Sequence, residues 1–520
     1  MQEKNKAILD FCKEKNIILE EKVLNLFQNL NFEKDAQIFL EKLRSKTSKN
    51  FINLNLLKKN LEFIEGLKKE LPFLIQIDFP FSKKTPPKKK EDFIKEDFPI
   101  KVLSASPQNN NRALEVKDFV NHFKNRYKEI SNYISDKNSI ENLVSIGKIN
   151  GDKQKFSIIG LVLNKNFSKN KNLILEVEDL TGKIKVIISK DKEELIKEAE
   201  NIPLDAVLGF KGFGNKEILF VNEIIFPESR LDKRKKSPVE EYALFIGDVH
   251  YGSKNFLEKD FSRFIDYLNK EGVEQKKIKY LFIVGDLVTG VGNYPDQEFD
   301  LSIKDLEDQF MGIAKFLSKI RKDIKIIISP GNHDGVRIME PQPPFDEKYA
   351  WPLYELENVI ILSNPSMVNI GSKNEFEGFN VLCYHGFSFP YFANNIPKLM
   401  AEKSMNKPEK IMEFLLKHRH LAPTHGSTQY FPLEKDGLLI RKSPDIFVSG
   451  HTHKSNVYHY NNILIISVSS WEGMTPYQEK FGNTPDHCKV PVFNLKTRAI
   501  KFLDFETGED GIKTYGERLK

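Results

Sequence analysis

Between about Glu240 and residue 506 the sequence repeats one motif: a strand-length apolar run that mostly ends in a polar, glycine-bearing loop. The runs YALFI, YLFIV, IKIIIS, NVLCY, DIFVS and ILIIS are apolar enough to be covered on both faces, and helical patterns lie between them. Buried strands alternating with helices predict an α/β sheet structure. Such a sheet carries its functional groups on the loops at one edge.

Taken in order, those loops are GDVH (Gly247, Asp248, Val249, His250), GDLVTG (Gly285, Asp286), GNHDG (Gly331, Asn332, His333, Asp334), YHG (Tyr384, His385, Gly386) and GHTH (Gly450, His451, Thr452, His453). Imidazole, carboxylate and amide oxygen suit divalent manganese, iron or zinc, and glycine lets the backbone turn tightly beside them. Residues two apart on an extended segment point the same way, so Asp248 with His250, and His451 with His453, are each expected to serve one cluster. Singly, His385 reads as a satisfied polar residue and the Gly285–Asp286 pair as a turn. Five such motifs in succession, each closing an apolar run, point to a shared metal site. Of the 11 histidines, His250, His333, His385, His451 and His453 lie in these motifs. His122, His418, His420, His425, His459 and His487 lack comparable settings and are expected to be structural or surface residues.

The rest of the chain divides by pattern. Apolar residues recur at helical spacing from about residue 4 to 70 (Ile8, Leu9, Phe11, Cys12; Ile38, Phe39, Leu40, Leu43), which predicts a helical N-terminal domain over 1–75. Residues 76–115 hold Pro80, Pro86, Pro87, Pro99 and Pro107 with lysines between Lys83 and Lys90, and read as a flexible basic linker. A short helix from Val116 leads into alternating strands up to about residue 230, with one helix among them, as in an OB-fold β-barrel. The last domain is expected over 240–510, giving a multidomain α/β protein. Lys and Arg outnumber Asp and Glu by 79 to 73, a net +6 that is only a faint hint of a polyanionic partner. Three scattered cysteines fit no disulfide framework, and no apolar membrane span or signal peptide is visible, so a reducing cytoplasm is expected.

The ordered motifs D-x-H, G-D, G-N-H-D, H and G-H-x-H resemble those of the calcineurin-like metallophosphoesterases, whose fold has four αββα layers. The resemblance implies one metal held by Asp248, His250 and His453, a second by Asn332, His385 and His451, and Asp286 bridging them. It also implies a water activated between the metals as nucleophile, His333 as general acid and Asp334 as the residue orienting it. Some relatives carry histidine three residues after the bridging aspartate, where this chain has Thr289.

The longer runs GDLVTGVGNYPDQ, SPGNHDGVRIMEPQPPF, YAWPLYELENVIILSNPS, LLKHRHLAPTHGS and PDIFVSGHTHKS, downstream of an OB-like region, resemble the small subunits of archaeal DNA polymerase D. This implies a 3′ to 5′ exonuclease that proofreads the primer end, with two divalent metals, manganese first and iron or zinc as substitutes. Its partners would be the large catalytic subunit and primer–template DNA, in a nucleoid-associated cytoplasmic setting without membrane. The alternatives are an idle scaffold subunit and a free-standing metal-dependent nuclease. Phe387, Phe389, Tyr391, Phe392 and Trp471 are candidates to stack on a splayed base, with core packing the plainer reading.

Overall fold

The computed structural model describes the chain apart from residues 1–5, 27–32, 75–99, 105–112, 137–139, 507–511 and 518–520 and isolated positions at 48–49, 53–55, 58–59, 69, 72–73, 152, 481 and 483. The lysines between Lys83 and Lys90 and most of the segment read as a linker lie outside the described residues. Two compact units emerge, Met1–Glu96 and Asp97–Lys520.

In the first unit the helices Lys6–Glu14, Glu33–Thr47 and Leu61–Leu67 bury Ile8, Cys12, Phe39, Leu40, Leu43 and Ile64 in one core. The i, i+3 and i+4 spacing of those residues puts them on one face of each helix. Ile18–Leu19 and Phe51–Ile52 add a short parallel pairing.

The second unit begins with an edge strand. Lys101–Ser104, inside the stretch expected to be a flexible linker, pairs antiparallel with Ser366–Ile370. Pairing with a distant strand supplies the backbone hydrogen bonds that a short extended segment cannot make for itself, and Ile100 beside it is buried between the sheets. Next, five strands close into a barrel in the order Gln154–Phe167, Leu173–Glu178, Lys183–Ile188, Ile218–Ile225, Val207–Gly214. Alternate residues such as Leu175, Val177, Val186, Leu219 and Val221 fill its interior.

Helix Val116–Ser135 ties the barrel to the C-terminal block. Ile130 and Ile134 pack with Ile159 and Val207 of the barrel and with Leu439. On its other side Arg126 Nε donates to Asp436 at 2.7 Å, and Arg441 makes a bidentate pair with Glu129 at 2.7 and 2.8 Å.

The C-terminal block is two sheets stacked face to face. One has seven strands, in the order Val359–Ile361, Lys325–Ser329, Ile278–Val284, Tyr242–Ile246, Lys489–Asn494, Ile500–Asp504, Lys513–Glu517. The other has six, Asn456–Tyr460, Ile463–Ser467, Ile446–Ser449, Phe379–Cys383, Ser366–Ile370, Lys101–Ser104. Facing residues of both sheets, among them Phe245, Phe282, Val381 and Ile466, form one buried layer. Helices Glu258–Asn269 and Leu306–Ser318 cover the outside of the first sheet, and Phe389–Asn395 and Pro408–His418 the outside of the second. The result is four layers, αββα. Among the described residues no helix is long and apolar enough to cross a membrane.

Candidate metal centre

The loops after Tyr242–Ile246, Ile278–Val284, Lys325–Ser329, Phe379–Cys383 and Ile446–Ser449 meet where the two sheets open. Their backbone leaves strand geometry at the positions that matter. Asp248 (φ 48°), His250 (49°), Asp286 (48°), His451 (69°) and His453 (55°) all occupy the left-handed region. Each such residue costs roughly 1–3 kcal/mol unless its surroundings enforce it. Asp248 and His250 therefore do not converge through extended alternation, as their two-residue spacing predicts. Two tight turns bring them together, held by hydrogen bonds from Asp248 N to Gly285 O and His250 N to Asp286 O, both 3.0 Å.

Glycine is required by closeness as well as by conformation. A Cβ on Gly331 would lie 2.2 Å from Asp286 Oδ1, and one on Gly450 2.4 Å from Asp248 Oδ2. Only a hydrogen fits beneath either carboxylate.

Two ligand groups result. Asp248, His250 and His453 bring one donor atom each within 4.8 Å of the others, and so do Asp286, His385 and His451. His250 Nε2 faces His453 Nε2 at 3.2 Å, and His453 Nε2 is 3.5 Å from Asp248 Oδ1. His385 Nε2 lies 3.2 Å from Asp286 Oδ2 and 3.1 Å from Asn332 Oδ1. Asp286 Oδ2 is also 3.8 Å from His250 Nε2, so this carboxylate stands between the groups.

A supporting layer aims the rings. His385 Nδ1 donates to Val284 O at 3.1 Å, which turns Nε2 toward Asp286, and its backbone N donates to Asn364 Oδ1 at 2.9 Å. The Gln478 side-chain amide pairs with His453 Nδ1 at 2.9 Å.

Electrostatics show what the cluster needs. Burial opposes ionisation of Asp286, but His385, His333 and His250 hold its carboxyl well below the usual carboxylate range. His385 is disfavoured as a cation by burial, yet the Asp286 charge and hydrogen bond raise it to about 10. Burial pushes His250 well down, and it pushes His451 down to about 3 with His385 adding to the effect. The buried His250 Nδ1 has no hydrogen-bond partner among the described residues. Burial also works against a cationic His453, but the Asp248 charge and hydrogen bond raise it, so the nitrogens of His250 and His453 that face each other at 3.2 Å beside buried carboxylates form a pocket of donors suited to a cation. Nitrogen and oxygen donors in this combination fit divalent manganese, iron or zinc.

His333 is half-buried, with its ring edge-on to His250 at 4.9 Å. Its orientation does not come from Asp334, contrary to expectation. The Asp334 carboxylate is buried and accepts from Val288 N at 2.9 Å and Gly331 N at 2.8 Å, so it fastens two loops together. Burial and the neighbouring Asp286 charge raise it to about 7. His333 Nδ1 instead donates to Thr289 O at 3.0 Å, with Asn293 Nδ2 3.2 Å away. Sequence reasoning missed Gln478, Asn293 and Asn364. No spacing rule marks them, since each reaches a histidine from a part of the chain distant in sequence, Gln478 from the helix Pro476–Lys480.

Of the candidate stacking aromatics, Phe389, Phe392 and Trp471 are fully buried core residues. Phe387 is half-buried and meets the His451 ring edge-on at 5.7 Å. A cavity of about 850 Å³, lined by Glu198, Phe226, Phe414, Lys417 and His418 among others, shares no residue with the cluster.

Residues 243–455, which carry all five motifs, match the family model described as calcineurin-like phosphoesterase. The DNA polymerase II small subunit of Pyrococcus furiosus is 38% identical over 404 residues, 75% of this chain and 64% of that protein. The subunit of the same description from Methanothermobacter thermautotrophicus is 34% identical over 416 residues, 79% of this chain and 83% of that one. For Thermoplasma acidophilum the identity is 33% over 400 residues, covering 75% and 78%. The chain spans 64% and 66% of the length of the Pyrococcus furiosus and Pyrococcus abyssi subunits. With an intact phosphoesterase motif set inside an alignment of this extent, the chain belongs to the family of DNA polymerase II small subunits, the polymerase D branch that its longer motifs resemble.

Proposed function

We propose that the phosphoesterase domain is a 3′ to 5′ exodeoxyribonuclease that removes mismatched nucleotides from a primer end. The observation that carries this reading is the pair of ligand groups sharing Asp286 in one buried cleft. Asp248, His250 and His453 would hold one divalent ion, Asn332, His385 and His451 the other, with Asp286 common to both and manganese the working metal. The chemistry supplied by ions bound there is Lewis acidity, which makes water a stronger acid and offsets charge developing on the phosphate.

The chain's own residues do the rest. Left-handed turns hold the ligands in their converged geometry before substrate arrives, so little rearrangement opposes the reaction. With Nδ1 tied to Thr289 O, His333 presents Nε2 to the cleft. There, protonated, it gives its proton to the departing 3′ oxygen. The closed barrel is read as an OB-fold that contacts partner or nucleic acid. The large catalytic subunit is the proposed partner and primer–template DNA the substrate, at the nucleoid in the cytoplasm.

The test is digestion of a 3′-mismatched primer–template in manganese by the purified chain, alone and with the large subunit, comparing wild type with His333→Ala and Asp286→Ala. Stepwise 3′ degradation lost in both variants supports the reading. Degradation unchanged in both would sink it and leave the chain a scaffold.

A further inference from the structure

The two loops that bring Asn332 and His385 together come from different sheets. Asn332 follows Lys325–Ser329 of the seven-stranded sheet and His385 follows Phe379–Cys383 of the six-stranded one, yet Asn332 Oδ1 and His385 Nε2 end 3.1 Å apart. Two buried side-chain amides run between these loops. Gln342 Nε2 donates at 3.1 Å to Gly331 O, the carbonyl of the peptide that leads into Asn332. Gln342 Oε1 accepts from Asn364 Nδ2 at 2.7 Å, and Asn364 Oδ1 accepts from His385 N at 2.9 Å. The hydrogen bonds all point one way, from the His385 backbone to Gly331 O, so each polarises the next.

This relay is tied at its other points as well. The second N–H of Gln342 goes to Arg337 O at 3.2 Å, and that of Asn364 reaches Glu340 Oε1 at 3.5 Å. The backbones of Gln342 and Asn364 exchange hydrogen bonds of 2.6 and 3.0 Å. Glu340, two residues earlier, donates its N–H to Gln429 O at 2.8 Å and accepts at its carbonyl from Phe431 N at 2.7 Å. Its side chain accepts at 3.0 Å from the hydroxyl of Tyr384, the residue before His385. Gln342 is 1% exposed and Asn364 0%, so both amides lie out of water. Buried amides are tolerated only when satisfied, and apolar side chains would fill the same space without that condition. What the amides add is direction. The GDVH and GHTH loops need no such link, since His451 N donates directly to Asp248 Oδ1 at 3.0 Å.

We infer that Gln342 and Asn364 are positioning residues that set the spacing between Asn332 and His385, and so govern the affinity of the ion held there while leaving the ion at Asp248, His250 and His453 in place. The inference rests on the two-ion reading above. Hydrogen-bonded neighbours of metal ligands control metal affinity by roughly 10- to 100-fold, and here that control falls on one of two adjacent sites. Loading of that site depends on Gln342, a residue that binds no metal itself.

The experiment titrates the full chain with manganese. Calorimetry resolves the two binding steps, and electron paramagnetic resonance separates an exchange-coupled ion pair from an isolated ion. Gln342→Met keeps the side chain's bulk and removes both ends of its relay, Asn364→Leu does the same at the neighbouring amide, and Gln478→Ala, which acts on His453, is the contrast. We expect each relay variant to weaken one step roughly 10- to 100-fold and to show the isolated-ion signal where wild type shows the coupled one. Gln478→Ala should weaken the other step. The Gln342→Met, Asn364→Leu double variant should weaken binding no further than either change alone, because the two amides act as one unit. Relay variants that keep both steps and the coupled signal overturn the inference, and so do variants that weaken both steps alike. If Gln342→Met does not fold, Gln342→Glu, which turns an oxygen toward Gly331 O, is read by the same criteria. A wild type that loads both ions yet digests no DNA sinks the exonuclease reading alone, whereas one that binds a single ion overturns this inference with the two-ion reading.

Discussion

The molecule holds two buried groups of histidine and aspartate, and they differ in where the positive charge comes from. Around Asp436, Arg126 Nε donates at 2.7 Å and His420 Nε2 at 2.8 Å, with His122 Nε2 at 3.3 Å. His420 Nδ1 accepts from Ala422 N at 2.9 Å, and Leu438 N donates to the second Asp436 oxygen at 3.0 Å. Every polar group has a partner, the guanidinium balances the carboxylate, and Asp436, His420 and His122 have no positive φ. Among the described residues no arginine or lysine pairs with the cluster around Asp286 and His250 Nδ1 has no hydrogen-bond partner, and five backbone positions there are strained. The same residue types are complete in one place and arranged for an added cation in the other.

Exchanging the roles of the two aspartates gives the largest contrast. Asp286→Ala should abolish manganese-dependent digestion and metal uptake, measured by equilibrium dialysis and elemental analysis. A chelator should lower the urea midpoint of wild type but not of this variant, because only a protein that binds metal is stabilised by it. Asp436→Ala should keep its metal and lose about 3–5 kcal/mol of stability in urea unfolding, since Arg126 is left buried without a counter-charge. If Asp436→Ala loses metal while keeping its stability, the distinction between the two clusters collapses.

Smaller effects sharpen the comparison. Gln478→Ala removes the partner of His453 Nδ1 and should weaken manganese binding roughly 10- to 100-fold, read by calorimetry, with unfolding in chelator unchanged. Acid should act on the satisfied cluster. Burial, with Arg126 adding and Asp436 opposing, lowers His420 to about 4. Asp436, though penalised by burial, is held well below the carboxylate range by Arg126, then His420 and His122. Between its ordinary value and about 4, His420 binds a proton only in the unfolded chain, so stability falls as pH falls through that window. The Asp436 contribution goes in the same direction at still lower pH. Replacing His420 with Asn should flatten the slope of the urea midpoint between pH 6.5 and pH 5; an unchanged slope would assign the acid sensitivity to other buried histidines such as His418, which burial lowers to about 3.

The sheets and the gathering of the candidate ligands at one sheet edge were legible because their signals are local. An apolar run marks a strand whatever surrounds it, and an aspartate or histidine just past its end has few places to go but the sheet edge. Features fixed by distant partners were not legible. Nothing in DVH or HTH announces left-handed backbone, which comes from hydrogen bonds to the neighbouring loop. Asp334 sits beside His333 in sequence and looks like its orienting partner, but its lone pairs are taken by Val288 and Gly331. His122 and His420 gave no sign of sharing one carboxylate, because Asp436 lies far from His122 along the chain. The strand Lys101–Ser104 was hidden by its composition, being short, exposed on its outer face and embedded among prolines and lysines.

That edge strand also bears on how the protein can be dissected. Lys101–Ser104 occupies the outermost hydrogen-bonding row of the six-stranded sheet, against Ser366–Ile370. A chain cut back to start at helix Val116–Ser135 would keep every candidate metal ligand and the whole barrel. It would also uncover the backbone N–H and C=O groups of a buried strand, an open template for pairing with another molecule. Self-association of such a trimmed protein would thus arise from an unsealed sheet margin, with the candidate metal centre intact.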